Sequence, residues 1–213
     1  MNIREELFYL YEKESYIQNK LGIHKKHMQA TIDAIYDACH WLEESCFKDM
    51  IKNVRIEISD TPIIDTMALI GINDNDNYIL VFINIAHVVY YFEKEKYDEI
   101  FLLNKMTCYE FAAFIFLHEI GHLVHACLQN PNETFIEEKL RIHLNENKKI
   151  YNRFKKWVRD SKYNDYEEDN PKEHNMIHKK YRKLPNEKQA DNFAKRYLKN
   201  VVQLDTPTPK GAS

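Results

Sequence analysis

The chain has 213 residues, of which 44% are hydrophobic and 30% charged, and this length and composition predict one globular domain. Its net charge of -3 gives no overall attraction for nucleic acids or anionic membranes. Only four glycines are present, none in a glycine-rich phosphate loop, which excludes P-loop enzymes, protein kinases and Rossmann dehydrogenases. Because the first residues lack the uninterrupted apolar stretch of a secretory signal, we expect a cytoplasmic protein.

In chain order, the hydrophobic pattern first predicts two helices and then three strands. The helices are expected over residues 3–20 and 23–50, and the second carries one apolar stripe. Residues 54–59 alternate strictly between apolar and polar, which is typical of a half-buried strand. Residues 67–72 and 78–83 are β-prone and are joined by a run of Asn and Asp, so they predict a hairpin.

The rest of the chain is predicted to be helical. A helix from residue 85 to about residue 103 is followed by Thr107, which with Glu110 forms a capping box at the start of the next helix. That helix, to about residue 128, is apolar on nearly every side, so we expect it at the centre of the fold. Residues 129–184 contain few aliphatic residues and many Lys, Glu, Asn and Tyr, which predicts a helical insertion lying over the core.

The last helix is predicted to begin after Pro185 and to carry an apolar stripe. Residues 205–213 contain two prolines and a glycine, which predict a disordered tail. We therefore expect a single α+β domain over residues 1–204, with a small sheet of about three strands and a buried central helix. The insertion would border a cleft and select the ligand, without building the site itself.

The predicted central helix contains the sequence His118-Glu119-Ile120-Gly121-His122, which matches the zincin signature H-E-x-x-H. Residues four apart share one helix face, so both imidazoles can bind one metal ion and Glu119 can reach a water molecule on it. Inside an apolar helix these polar groups carry a large desolvation cost unless a metal satisfies them. The alternative is a hydrogen-bonded pair of core histidines beside a partly exposed glutamate.

A catalytic zinc ion needs a third protein ligand. The metzincin pattern is excluded because position 128 is Leu instead of His. His125 follows His122 by one turn, but three ligands on one straight helix span too much height for a tetrahedral site, so we interpret His125 as a supporting or core histidine. Glu187 and Asp191 lie four residues apart at the border of an apolar stripe and would project together towards the core. The alternative for this pair is two solvated acids on a charged helix.

The motif H-E-I-G-H, followed on a later helix by E-x-x-A-D-x-F-A, resembles the gluzincin metallopeptidases, in particular their minimal cytoplasmic members of the ImmA/IrrE type. This resemblance covers residues 54–128 and 184–198. It implies that Glu187 is the third zinc ligand and that Asp191 supports a zinc-binding histidine, which we expect to be His118. It also implies a zincin-like fold in which the edge strand of the sheet binds extended substrate.

These features predict a zinc-dependent metallopeptidase. Zinc held by His118, His122 and Glu187 would activate a water molecule, and Glu119 would accept the proton of that water as general base. The expected partner is a protein or peptide substrate, for example a regulatory protein, and neither a membrane nor a nucleic acid is expected. The alternative is a zinc-containing regulatory or interaction protein of the same fold with little or no protease activity.

Two further features leave alternatives open. Residues 148–159 form a basic run with interleaved aromatic residues, which fits either a nucleic-acid surface or a solvated amphipathic helix, and the flanking acids favour the helix. Five side chains near Glu187 in sequence are candidates for stabilising a transition-state oxyanion: Tyr163, Tyr166, His174, His178 and Tyr181.

Overall fold

The structure is a computed structural model, and it describes residues 23–59, 66–73, 75–93, 106–163 and 170–205. The predicted helix over residues 3–20 and the predicted tail after residue 205 lie outside the described residues.

The described residues form a mostly helical α+β fold, as predicted. The helices are α1 (Lys25–Glu44), α2 (Lys48–Ile51), α3 (Ile85–Glu93), α4 (Cys108–Gln129), α5 (Ile136–Asp160), α6 (Pro171–Tyr181) and α7 (Pro185–Asp205). The strands are β1 (Val54–Ser59), β2 (Ala68–Asn73) and β3 (Tyr78–Asn84).

The extent of one predicted helix needs correction. The prediction of one helix over residues 23–50 is wrong, because α1 ends at Glu44 and α2 begins at Lys48. The break occurs at Ser45, whose backbone is extended and whose hydroxyl donates to the Leu42 carbonyl at 2.8 Å. Serine competes for backbone hydrogen bonds in this way and often ends helices. Helix α3 is described only to Glu93, and the rest of that prediction lies outside the described residues.

The three strands form one mixed sheet in the order β1-β3-β2. Strands β2 and β3 are antiparallel, with Ile70 opposite Val81, so the predicted hairpin is confirmed. Strand β1 pairs in parallel with β3, and its residues Val54 and Ile56 are buried, as the alternating pattern predicts. This order leaves β2 at an edge of the sheet, where it packs against α4 and α5.

Helix α4 is the central element of the fold. Its start is fixed by the predicted capping box, in which the Glu110 backbone N–H donates to the Thr107 hydroxyl and the Glu110 carboxylate accepts from the Thr107 N–H. Helix α4 is long and apolar enough to cross a membrane, yet 83% of its most apolar window is buried inside the fold. The central helix of a globular core has the same character.

The segment predicted as an insertion consists of α5, α6 and their connections. Helix α5 packs on α4 and β2, and it buries Leu140 completely and most of Phe154. The interpretation of residues 129–184 as an insertion stays a prediction, and α5 shares the core of α4 through Leu140.

Helices α4 and α7 approach each other closely at Gly121. A β-carbon at this position would lie 2.9 Å from the Ala190 α-carbon and 3.0 Å from the Ala190 carbonyl oxygen. A β-carbon at these distances would overlap the Ala190 backbone, so one of the two helices would have to shift. Gly121 and the small side chain of Ala190 therefore allow the two helices to pack backbone against backbone.

We expect Gly121→Ala to lower the free energy of unfolding by about 1–3 kcal/mol, because the added methyl group overpacks the contact between α4 and α7. This sign opposes the intrinsic preference of helices for alanine, which alone would stabilise the variant by about 1 kcal/mol. Gly71→Ala is the matched control, since a β-carbon there would meet only a Leu69 methyl group at 3.9 Å. Urea unfolding of both variants measures the difference, and equal stabilities would contradict the constraint at Gly121.

Candidate metal centre

Two helices bring three potential metal ligands together in the core. His118 and His122 project from one face of α4, and Glu187 projects from the first turn of α7. One ligand atom from each side chain lies within 4.8 Å of the other two, and all three side chains are buried. Within the described part of the chain this group can hold a metal ion, so the prediction from the sequence is confirmed to that extent.

The spacing of these atoms fits a tetrahedral site. The two Nε2 atoms of His118 and His122 are 3.2 Å apart, and Glu187 Oε2 is 3.3 Å from His118 Nε2. Two ligand atoms at about 2.0–2.1 Å from one tetrahedral ion lie about 3.3–3.4 Å apart. Glu187 Oε1 is 3.8 Å from His122 Nε2 and can approach by a side-chain rotation. Two imidazoles and one carboxylate suit zinc and other first-row transition metals.

Asp191 lies one turn after Glu187 on α7 and contacts His118 from the other side. Its Oδ1 atom accepts a hydrogen bond from His118 Nδ1 at 3.0 Å. This bond places the proton on Nδ1 and leaves Nε2 free to bind a metal. The structure thus places Asp191 beside the histidine that we expected from the sequence.

Arg182 is part of the site and was not predicted from the sequence. Its guanidinium group donates to Asp191 Oδ1 and lies 3.5 Å from Glu187 Oε2. The side chain is 9% exposed, so these ion pairs are shielded from water. Arg182 lies in the turn after α6 and belongs to no motif, and the sequence therefore gave no signal for it.

The protonation of the ligands follows from this environment. Burial raises the pKa of Glu187. The hydrogen bond to His118 and the charges of the neighbouring histidines and Arg182 lower the pKa by more, so that the net value is about 2. Burial and the neighbouring His118 lower the pKa of His122 to about 3. Burial also lowers the pKa of His118, whereas its bonds to Asp191 and Glu187 raise it, and the net pKa is raised. At neutral pH, Glu187 is therefore ionised and His122 neutral, which are the metal-binding forms.

Glu119 is buried beside the three ligands without being one of them. Burial raises the pKa of Glu119 to about 7, and a hydrogen bond from the backbone N–H of Ile70 opposes this rise. Ile70 belongs to the edge strand β2, so the sheet holds the carboxylate in place. A carboxylate with a pKa near neutrality is suited to accept and release protons.

These groups line a cavity of about 400 Å³, within the size range of small-ligand sites. Strand β2 contributes one side of it, including Leu69, and α4 contributes His118, Glu119 and His122. Tyr151 from α5, Tyr181 from the end of α6 and Arg182 from the following turn also line the cavity. The polar groups thus converge on an apolar cavity that β2 borders with its first three residues, Ala68, Leu69 and Ile70.

The five side chains predicted as candidate oxyanion donors differ in whether they line this cavity. Tyr181 lines it, and burial and the charge of Glu187 raise the pKa of its phenol, which therefore stays protonated. Tyr163 lines a different groove, and Tyr166 lies outside the described residues. The rings of His174 and His178 pack against each other at a tilt of 52°, with centroids 4.3 Å apart, and are not part of the cavity lining.

His125 is not part of the ligand cluster in the described part of the chain. Its ring packs edge-on against the buried His143, with ring centroids 5.2 Å apart. His143 also lies 5.8 Å from the ring of His122, and its Nδ1 atom donates to Gln129 Oε1 at 3.1 Å. His122 Nδ1 is buried without a hydrogen-bond partner among the described residues, and His143 is the ring next to it.

We expect Glu187→Ala to lose bound metal and to unfold at a lower temperature, because metal binding is coupled to folding. Glu137→Ala is the matched control, since Glu137 is equally buried but bonds to Asn53 outside the cluster. Metal content by atomic emission and a thermal melt of each variant measure the two effects. Full metal occupancy in Glu187→Ala would show that another residue is the third ligand, and His125 would be the first to test.

We expect Asp191→Asn to weaken metal affinity by about 10- to 100-fold, the usual effect of removing a partner behind a metal-binding histidine. The amide cannot neutralise Arg182, and it holds the Nδ1 proton of His118 less strongly than a carboxylate does. Competition with a chromogenic chelator measures the affinity, and Asp160→Asn at the exposed end of α5 is the control. An unchanged affinity would show that Asp191 only pairs with the charge of Arg182 and does not support metal binding.

Comparison of the chain with protein-family models, with curated proteins and with solved structures gives no match. The description of the ligand cluster therefore rests on its geometry alone. Membership of a metallopeptidase family is an inference from the two sequence motifs.

Proposed function

We propose that this protein is a metallopeptidase of the gluzincin kind, with a zincin-like fold, which hydrolyses peptide bonds of a cytoplasmic protein substrate. The observation that carries the proposal is the position of Glu119. A metal ion that only stabilises the fold needs no buried carboxylate beside its ligands. Here such a carboxylate lies in the same cavity as His118, His122 and Glu187, with a pKa near 7.

His118, His122 and Glu187 would hold the metal, which we propose to be zinc. A bound zinc ion supplies Lewis acidity, polarising the scissile carbonyl and lowering the pKa of a water molecule to about 7. Glu119 then accepts a proton from the attacking water and later donates it to the leaving amine. The bond from the Ile70 N–H keeps the Glu119 carboxylate directed into the cavity during both transfers.

Tyr181 is the candidate that we favour for stabilising negative charge on the carbonyl oxygen. It lines the cavity next to Glu187, to which its hydroxyl is hydrogen-bonded, and burial raises the pKa of the phenol, which therefore stays protonated and able to donate. A donor directed at a developing oxyanion contributes most in a water-excluded cavity. Arg182 is already engaged by Asp191 and Glu187, so its charge serves mainly to hold those two carboxylates.

The substrate would be an extended peptide segment. Strand β2 is an edge strand that borders the cavity, and such an edge can pair with an added chain through backbone hydrogen bonds. A regulatory protein of the cytoplasm fits this use, since the site needs an exposed, flexible segment. No membrane and no nucleic acid enters the proposed reaction.

A zinc-containing regulatory protein without protease activity is the alternative, and Glu119→Gln separates the two. The amide cannot accept a proton from water, so we expect a loss of peptidase activity by roughly 10²–10⁴-fold with unchanged metal content and fold. Hydrolysis of a quenched fluorescent peptide library measures activity, and metal analysis of the same sample is the internal control. If a biological effect of the protein persists in Glu119→Gln, the binding function is correct.

We expect Tyr181→Phe to reduce kcat by about 10²–10³-fold with little change in KM or metal content, as for other oxyanion donors. Tyr197→Phe is the control, because Tyr197 packs against Trp41 and Phe47, away from the cavity lining. Steady-state kinetics on one peptide measures both constants. A rise in KM with unchanged kcat would assign Tyr181 to substrate binding instead.

A further inference from the structure

A second groove, of about 710 Å³, lies along α6 and the end of α5. Four lysines line it: Lys172, Lys179, Lys180 and Lys183. Three of these lysines and Met176 are spaced three or four residues apart, so they form one stripe along α6 and the turn after it. Trp157, Tyr163 and Asn175 complete the lining, which among the described residues includes no acidic side chain.

The positive charge of this groove, called the lysine groove below, is largely unpaired among the described residues. Within the described part of the chain, Lys172, Lys179 and Lys183 form no ion pair. Lys172 also lies in the first turn of α6, where the helix dipole disfavours a cation. Unpaired like charges in one groove repel each other and instead favour an anionic ligand.

The surroundings of Trp157 favour a peptide over a nucleic acid. The Lys180 ammonium lies 3.4 Å from the centre of the Trp157 ring and covers one face of it. The rings of Phe154 and Tyr163 lie 5.8 Å and 5.4 Å from Trp157. Because the ring is enclosed in this way, a base has little room to stack on it, and stacking supplies much of the affinity for single strands. Carboxylates need only the point charges of the lysines, while Met176 and the lysine stems offer apolar contact.

The lysine groove adjoins the candidate metal centre through the end of α6. Tyr181 and Arg182 line the cavity of the metal centre, whereas their neighbours Lys180 and Lys183 line the groove. The two surfaces are therefore separated by a distance on the order of 10 Å, the diameter of a helix. An extended chain covers that distance in roughly three to five residues. One substrate can reach both.

We propose that the lysine groove binds an acid-rich peptide segment of the protein substrate, a few residues from the bond that is cut. This proposal rests on the proposed peptidase function for its link to cleavage. The binding of the acidic segment itself depends only on the groove, so the two can be tested separately.

The binding test uses Trp157 as a reporter. The chain has two tryptophans, and Trp41→Phe leaves Trp157 as the only one. In a Trp41→Phe/Glu119→Gln protein, we expect a glutamate-rich dodecapeptide with interspersed leucines to change Trp157 emission saturably, and a lysine-rich counterpart to have no effect. The affinity should fall when salt is raised from 0.1 M to 0.5 M, because screening weakens exposed charge pairs.

Charge-reversal variants locate the binding. We expect Lys172→Glu/Lys179→Glu to weaken peptide binding by roughly tenfold or more, from the loss of two exposed charge contacts. Lys195→Glu/Lys199→Glu is the matched control, since it makes the same change in net charge at exposed positions of α7. Equal weakening by both pairs would show that only net charge matters, and would overturn the proposal.

Two competing ligands are also tested. A single-stranded oligonucleotide that binds more tightly than the acidic peptide, with the same dependence on Lys172 and Lys179, would overturn the assignment to peptides. Residues 164–169 contain four acidic residues. If the peptide binds only after these four are changed to Asn or Gln, the chain's own acidic segment is the ligand of the groove. In that case the proposal is also wrong.

The link to cleavage is tested with one cleavable peptide, made with and without an appended acidic segment. We expect a lower KM for the acidic version, with unchanged kcat, and the loss of this difference in Lys172→Glu/Lys179→Glu. Equal KM values with active enzyme would overturn the proposal while leaving the peptidase function intact. Absence of any cleavage, with saturable binding at Trp157, would instead overturn the peptidase function and restrict the groove to peptide binding.

Discussion

The close approach of α4 and α7 is the constraint on which the candidate site depends. Neither helix alone can complete a three-ligand site, because α4 offers two imidazoles and α7 offers the carboxylate. The absence of a side chain at Gly121 lets the backbone of α7 come into contact at Ala190. Glu187 and Asp191 lie three residues before and one residue after Ala190, so this contact places both acids against His118.

The charges gathered in the core are unusual for a protein interior, and they are nearly balanced. Glu187 and Asp191 are acidic, and Arg182 supplies one positive charge against them. One negative charge is left over when both imidazoles are neutral, as metal binding requires, before any contribution from Glu119. Burying such an excess is costly unless a cation compensates it. A divalent metal ion is therefore the kind of ligand that this group of residues is suited to bind.

The parts of the site that follow from local periodicity could be predicted from the sequence, and the parts that depend on the path of the chain could not. The spacing of His118 and His122 and the capping box at Thr107 are properties of one helix, and they are found as predicted. Arg182 reaches the site only because the turn after α6 lies beside α7. The bond from Ile70 to Glu119 likewise needs the sheet to pack on α4, which no short pattern encodes. The break at Ser45 has no signal in the periodicity, because apolar residues resume after it at Phe47, Met50 and Ile51.

The separation of the ligands along the chain has a consequence for folding. Glu187 follows His118 by 69 positions (187 minus 118), so a metal ion held by both acts as a reversible cross-link across a long loop. In a disulfide of similar span, the lost freedom of the unfolded chain is worth about 4 kcal/mol. A cross-link of this kind would also tie α7 to the core whenever α5 and α6 open locally. The cavity could then widen without release of the helix that carries Glu187.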